Sequence, residues 1–448
     1  HTITLVASAI LLKLLSPNDF GILAVLFLVL GLGSIFIGQG YLSAIIREKV
    51  IDNIILNTIF WINLGFGFAV ILLSYLLGDW LGEYFKIYSF KNYLSCFSFA
   101  YLLQAANVVP LAMLERKLDF KQHSIIHIYA TIVAAIIAIF LALYQCGVYS
   151  LIWRGLSAGI VVTILVWYKS EWKPSFVFRY SSLKGMHRFS RGVLGTQILR
   201  YGANQLDNLM VAKLLGTSDL GIYNRAKTFV LKPAREINAK TRSVAYSALS
   251  KLDDPKEYRT TLFKFTLLLT MVIVPLLLIV LISSDTLIYT YLSSEWHPMI
   301  NILKLLAISS IVISTSMPSQ IMLSKGASYT LFKSEMITNV IKVGVLLFAF
   351  RFADLLSIVT LFLLGQVLSN LLQNIVAYRS VEGYKLMIWK YHILPIIMAF
   401  IVYSLAVVID NYISYSLISM VCKLVICLSI YGYYAWKTYP EILKSIRK

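Results

Sequence analysis

Beyond Asp219 at its start, seven charged residues fall inside the stretch at residues 219–248: Arg225, Lys227, Lys232, Arg235, Glu236, Lys240 and Arg242. Read as a helix at 100° per residue, all of them except Lys227 fit an arc of roughly 160°, with Ala226, Val230, Ala234, Ile237 and Val244 opposite. Side chains near the helix ends can snorkel to an interface, which accounts for Arg225, Lys240 and Arg242. Lys232 and Arg235 are beyond that remedy. The helix rises about 45 Å at 1.5 Å per residue, so they stand about 20 Å from either end. They need a hydrated chamber or a partner, and Glu236 alone cannot balance the row. Charge at such depth marks a pathway by default. A lumen with several cations and few acids draws anions and repels organic cations, and Arg presents a planar fork suited to phosphate.

The preceding stretch carries a matching stripe, because Gln197, Arg200, Asn204 and Asp207 lie within about 80° of one another at helical spacing. Arg154, Lys342 with Glu335 and Asn339, and the series Gln366, Asn370 and Gln373 add polar groups to other apolar stretches. The candidate anion-binding set is Arg154, Arg200, Arg225, Lys232, Arg235, Lys240 and Arg242. Lys13, Lys213 and Lys423 read as snorkelling residues, and Gly192, Gly195 and Gly202 as sites of close helix approach. His123 and His127 share a helical face without a third ligand nearby in sequence, so packing or headgroup contact is expected there and no metal. The four cysteines lack a CxxC pair and read as small hydrophobes. No Walker A sequence, catalytic Ser/His/Asp set or metal cluster is present, which argues against ATP hydrolysis and against an enzyme.

The elements that must hold these residues follow from composition. Hydrophobic residues make up 59% of the 448 residues and the mean hydropathy is +0.77, so the solvent is lipid for most of the length. Backbone groups in lipid must pair within helices or a closed barrel, and the long runs lack the alternation of strands. An all-α integral membrane protein is therefore expected. Its fourteen spans fall near 1–15, 19–45, 54–78, 92–114, 123–144, 148–168, 192–216, 219–248, 260–283, 299–321, 329–350, 353–378, 390–410 and 413–437. The first is short for a bilayer and the chain opens on His1, so part of that helix and a short leader are expected to be missing.

The stretch from Leu14 to Ile22 returns two hundred positions later as Leu214 to Ile222, with five of nine residues identical. Each copy joins two apolar segments through a tight turn whose Asp can accept N–H bonds at the next helix start. The reading is of two six-helix parallel repeats around a central cavity. Residues 1–168 form an N-terminal bundle, 169–191 a basic cytoplasmic linker and 192–378 a C-terminal bundle. Residues 379–448 add two helices and a basic cytoplasmic tail. More than half of the 40 Lys and Arg lie in alternate connections, while the intervening connections hold Lys86, Lys91 and Arg351. That bias places the rich side, and both chain ends, in the cytoplasm. The net charge of +19 thus reflects topology, and no connection is long enough for a nucleic-acid-binding domain.

The chain resembles the Wzx-like polysaccharide transporter family of the multidrug/oligosaccharidyl-lipid/polysaccharide exporter superfamily. The resemblance rests on Leu15-Ser16-Pro17-Asn18-Asp19-Phe20-Gly21, Glu115-Arg116-Lys117-Leu118-Asp119-Phe120 and Gly147-Val148-Tyr149-Ser150-Leu151. Leu215-Gly216, Leu220-Gly221-Ile222-Tyr223-Asn224 and Pro233 complete it. Relatives often carry Phe-Pro where this chain has Tyr246-Ser247 before Ala248-Leu249-Ser250, so the end of the eighth helix is expected to be straighter here. What the resemblance implies is a flippase of the bacterial inner membrane. It would move an undecaprenyl-diphosphate-linked oligosaccharide by alternating access, beside a polysaccharide polymerase and chain-length machinery. It also implies exchange against H+ or Na+, for which Asp207 and Glu236 are the candidate coupling acids, and no bound cofactor. A multidrug exporter of the same superfamily, or a membrane polysaccharide polymerase or ligase, is the alternative. Such an exporter would want acids in its cavity, and such an enzyme a sizeable loop on the side away from the cytoplasm.

Overall fold

The computed structural model describes residues 2–38, 45, 52–117, 120–349, 351–352, 354–379, 381, 394–412 and 417–438. Its helices are α1 (Thr2–Leu14), α2 (Pro17–Phe36), α3 (Asn53–Phe85), α4 (Phe90–Arg116), α5 (Phe120–Leu143), α6 (Val148–Lys169), α7 (Lys184–Leu214) and α8 (Thr217–Leu249). They continue as α9 (Pro255–Tyr291), α10 (Met299–Ser314), α11 (Pro318–Ser324), α12 (Ser328–Ala349), α13 (Leu355–Tyr378), α14 (Leu394–Tyr412) and α15 (Leu417–Thr438). Among the described residues no strand occurs. Among the described residues eight segments, α10 and α11 counting together as one, are long and apolar enough to cross a membrane. The fold is that of an all-α integral membrane protein.

The chain divides into two compact units, His1–Ile222 and Tyr223–Lys448, with the boundary inside α8. In the first, α3 packs along α4, α4 against α6, and α6 against α5, while α2 lies along α7 and α1 along α5. In the second, α9 packs with α10, α12 with α13, and α13 with α10 and α11; α14 and α15 pack together and against α9.

Local chemistry sets the helix ends. Ser16 caps α2 by accepting from the Asp19 N–H at 3.3 Å, and the Asp19 carboxylate takes the Ser16 N–H at 2.9 Å, a capping box completed by Pro17 at the first helical position. In the second copy of the motif Gly216, at φ +91°, turns the chain into α8, and Thr217 Oγ1 donates to Asn18 Oδ1. The two copies therefore meet within the first unit. Gly21 and Gly221 allow that approach, because a Cβ on either would overlap a backbone carbonyl, that of Thr217 or of Pro17 respectively. Gly195 and Gly202, expected to be the close-approach glycines, have nothing within 4 Å of a built Cβ.

Two expectations about connections also change. The segment 169–191 is no continuous loop: α7 begins at Lys184, and the part before it is strapped to α3. There Trp61 Nε1 donates to the Ser175 carbonyl at 2.9 Å, Asn57 Oδ1 accepts the Ser175 N–H at 2.7 Å, and Thr58 Oγ1 accepts the Arg179 N–H at 3.1 Å. Trp172 completes the attachment by burying its ring against Phe60. The expected tenth helix is broken after Ser314, because Pro318 has no N–H to continue the ladder and restricts Met317 before it.

Candidate functional site

Helix α8 runs unbroken from Thr217 to Leu249, about 48 Å at 1.5 Å per residue. Its buried face is small and apolar: Ala226 and Val230 are 0% exposed, Ala234 1% and Ala245 0%. Lys232, Arg235, Glu236 and Lys240 are exposed on the other side, and Arg225 and Arg242 are partly covered. The helix thus presents a cationic face at mid-length, as its periodicity predicts. Val244 departs from that pattern at 59% exposed, although it shares its helical angle with buried Ala226. Pro233 lies inside the helix between Lys232 and Arg235. Its missing N–H leaves the Phe229 carbonyl without a ladder partner at the same level.

The charges at the ends of this row are tied into the protein. Arg242 Nη2 donates to the Ser316 carbonyl at 2.8 Å, an acceptor freed by the break between α10 and α11. A cation is well placed there, because the last carbonyls of a helix carry partial negative charge. Ser316 Oγ in turn donates to Asn370 Oδ1 at 3.3 Å, and Asn374 donates to the same oxygen at 2.9 Å. Gln373 donates to Thr338 Oγ1 at 3.1 Å. The polar stripe of α13 therefore joins α8, the break and α12 through hydrogen bonds. Lys227 lies 5.2 Å over the Tyr223 ring, and Arg225 is held by neighbouring groups.

In the first unit, Arg154 on α6 is half-buried, and Arg200 and Asn204 on α7 are exposed. Asp207 is 5% exposed and engaged by neighbouring groups, so the predicted stripe runs from an open end to a buried acid. Tyr201, beside Arg200, fastens α7 to α2 by donating to the Phe27 and Leu28 carbonyls at 2.8 and 3.0 Å. In the second unit Lys342 is half-buried, with Glu335 and Asn339 exposed on the same helix.

Sequence reasoning missed one charged pair outright. Lys304 and Asp285 form an ion pair at 2.7 Å between α10 and α9, with side chains only 24% and 12% exposed. The signal was present: the two residues flank a short helical hairpin and stand 19 positions apart. One of the three lysines read as snorkelling differs: Lys423 is 1% exposed and held inside the protein. Lys213 is exposed at the end of α7, donating to the Tyr84 carbonyl at 2.9 Å and lying 3.7 Å over the Tyr84 ring. The His123 and His127 rings lie 4.6 Å apart, tilted at 50°, and Glu115 lies 3.7 Å from His123. Among the described residues no group of three or more His, Cys, Asp or Glu could hold a metal ion.

A family model described as "Polysaccharide biosynthesis protein" matches residues 10–301. The chain is 22% identical over 416 residues to the lipopolysaccharide biosynthesis protein WzxC of Escherichia coli (strain K12), covering 91% of this chain and 85% of that one. It is 24% identical over 306 residues to the succinoglycan biosynthesis transport protein ExoT of Rhizobium meliloti (strain 1021), covering 68% of this chain and 62% of that one. Among solved structures, the lipid II flippase MurJ in an inward closed conformation superposes with a TM-score of 0.74 at 14% identity, covering 99% of this chain and 97% of that one. A multidrug resistance MATE family transporter of the MOP superfamily, inward-facing, matches at 0.62 and 16%, covering 86% and 95%.

Proposed function

Because the chain belongs to the polysaccharide biosynthesis protein family, we propose that it is a flippase that carries a polyprenyl-diphosphate-linked oligosaccharide across the bacterial inner membrane. The observation that carries this reading is the exposed cationic row of α8, Lys232, Arg235 and Lys240, set opposite a buried apolar face at mid-helix. Cations at that depth are too costly to keep without an anion to meet. A diphosphate offers the acceptors that Arg forks bind and Lys neutralises. Organic cations, the cargo of a drug exporter, would be repelled.

The transporter moves its cargo without making or breaking a bond. Arg154, Arg200, Arg225, Lys232, Arg235, Lys240 and Arg242 supply the positive field. Arg242 does so while anchored on Ser316, so its share is positional as well as electrostatic. Asp207, buried in α7, and Glu236, lying in the cationic row, are the acids that would couple transport to an H+ or Na+ gradient. The basic connections face the cytoplasm with both termini, and a polysaccharide polymerase with its chain-length machinery receives the product on the other side.

Purified protein in vesicles tests this reading. Vesicles given a polyprenyl-diphosphate oligosaccharide on one face should show it reach the other faster than protein-free vesicles, and faster still under an opposing proton or sodium gradient. Equal movement with and without the protein would contradict it.

A further inference from the structure

The first unit contains a groove that the cationic helix does not explain. Leu32 and Phe36 of α2, Phe66, Leu73 and Leu77 of α3, and Leu209 of α7 line a cavity of about 680 Å³. Its walls are exposed apolar side chains, with Leu32 46%, Leu73 53% and Leu77 44% exposed. Along α3 the lining extends from Phe66 to Phe85, about 28 Å at 1.5 Å per residue. Below the level of Trp80 it is about 21 Å, more than the roughly 15 Å of one leaflet's hydrocarbon.

One end of the groove differs from the rest. Trp80 and Tyr84 stack there at 5.8 Å, an amphipathic lip of the kind found at membrane interfaces, and Lys213 sits on the Tyr84 ring. The Lys213 ammonium is exposed and held by a neutral carbonyl and a ring. Among the described residues no carboxylate pairs with it. Asp79, at the same end, is neutralised by Lys91 at 2.7 Å, and Glu83 and Lys86 follow in the chain with opposite formal charges.

The occupant must be a long hydrocarbon chain with an anionic head. A glycerophospholipid chain belongs to one leaflet and stops near the midplane, about 15 Å from its headgroup. A polyprenyl chain is long enough to run the whole groove. We propose that the groove between α2 and α3 seats the polyprenyl tail of the cargo, with its diphosphate at Lys213. This rests on the flippase reading and adds to it a station on the side opposite the basic connections, where the cargo stands after translocation.

Photocrosslinking of the full chain in vesicles tests the site, with a benzophenone-tailed polyprenyl diphosphate as probe and a phosphatidylglycerol carrying the same photogroup as comparison. The polyprenyl probe should label α2 and α3 peptides, and the phospholipid should label the lipid-facing surface evenly. Ala69→Trp fills the groove from an exposed wall position and should lower polyprenyl labelling roughly tenfold, equivalent to about 1.4 kcal/mol of binding. Lys213→Glu should lower it several-fold, and Val340→Trp, on exposed α12 surface, should leave it unchanged. Equal labelling of the groove by both probes, or labelling indifferent to Ala69→Trp, would overturn the tail site. Translocation of the oligosaccharide-linked cargo in the same vesicles separates the two proposals. Movement without groove labelling overturns the groove alone, and groove labelling without movement overturns the flippase reading.

Discussion

Gly21 and Gly221, two hundred positions apart in sequence, contact each other's helix starts reciprocally: Gly21 lies against the Thr217 carbonyl and Gly221 against the Pro17 carbonyl. Each partner stands four residues before the other glycine, so repeat-related positions meet as equivalents. The obstacle to a side chain at either site is backbone, which cannot rotate aside. Gly21→Ala or Gly221→Ala should cost about 1–3 kcal/mol by overpacking. In detergent this should appear as a melting temperature lower by several degrees, at roughly 2–4 °C per kcal/mol for a unit of this size. Gly202→Ala, with open space around it, should hold or slightly raise that temperature, since Ala favours a helix over Gly by about 0.5–1 kcal/mol.

Removing one member of the Lys304–Asp285 pair should be far worse than removing both. Lys304→Ala strands a largely buried carboxylate, a loss of about 3–5 kcal/mol. The double variant Lys304→Met with Asp285→Leu should recover most of it, because two apolar groups leave no charge uncompensated. Thermal unfolding of the two single variants and the double variant gives the coupling directly.

The strap between α6 and α7 should loosen in acid. The Lys117 ammonium, hydrogen-bonded to Glu171 at 2.6 Å, holds the Glu171 carboxyl below its ordinary value of 4.5. A carboxylate depressed in the folded state adds stability that is full above its unfolded pKa and is lost as pH falls through the folded one. Tryptophan fluorescence from Trp172 and Trp61 should therefore change as pH drops below about 4.5. Glu171→Gln should remove that change. The contact is exposed and solvent-screened, so the effect is local.

Each predicted span except the tenth, which Pro318 breaks, coincides with a helix in the described residues, as backbone groups that lack water must pair along the chain. The cationic face of α8 was legible in the helical period, and counting rises puts Lys232 and Arg235 near its mid-length. What the chain did not disclose depends on distant partners. Lys423 reads alone in α15, yet it is enclosed within the packed helices. Gly195 and Gly202 look like packing glycines, but among the described residues nothing comes within 4 Å of a Cβ placed on either. Arg242 gave no sign of Ser316, whose carbonyl is freed only because Pro318 breaks a helix in another part of the chain.

The most direct test reverses the mid-helix charges in the vesicle translocation assay. Lys232→Glu and Arg235→Glu remove nothing from the buried face of α8, so both variants should insert and purify like the parent. Each should lose transport of the polyprenyl-diphosphate oligosaccharide by at least roughly tenfold, the equivalent of 1.4 kcal/mol at the rate-limiting step. Parental translocation rates in both variants would contradict the account.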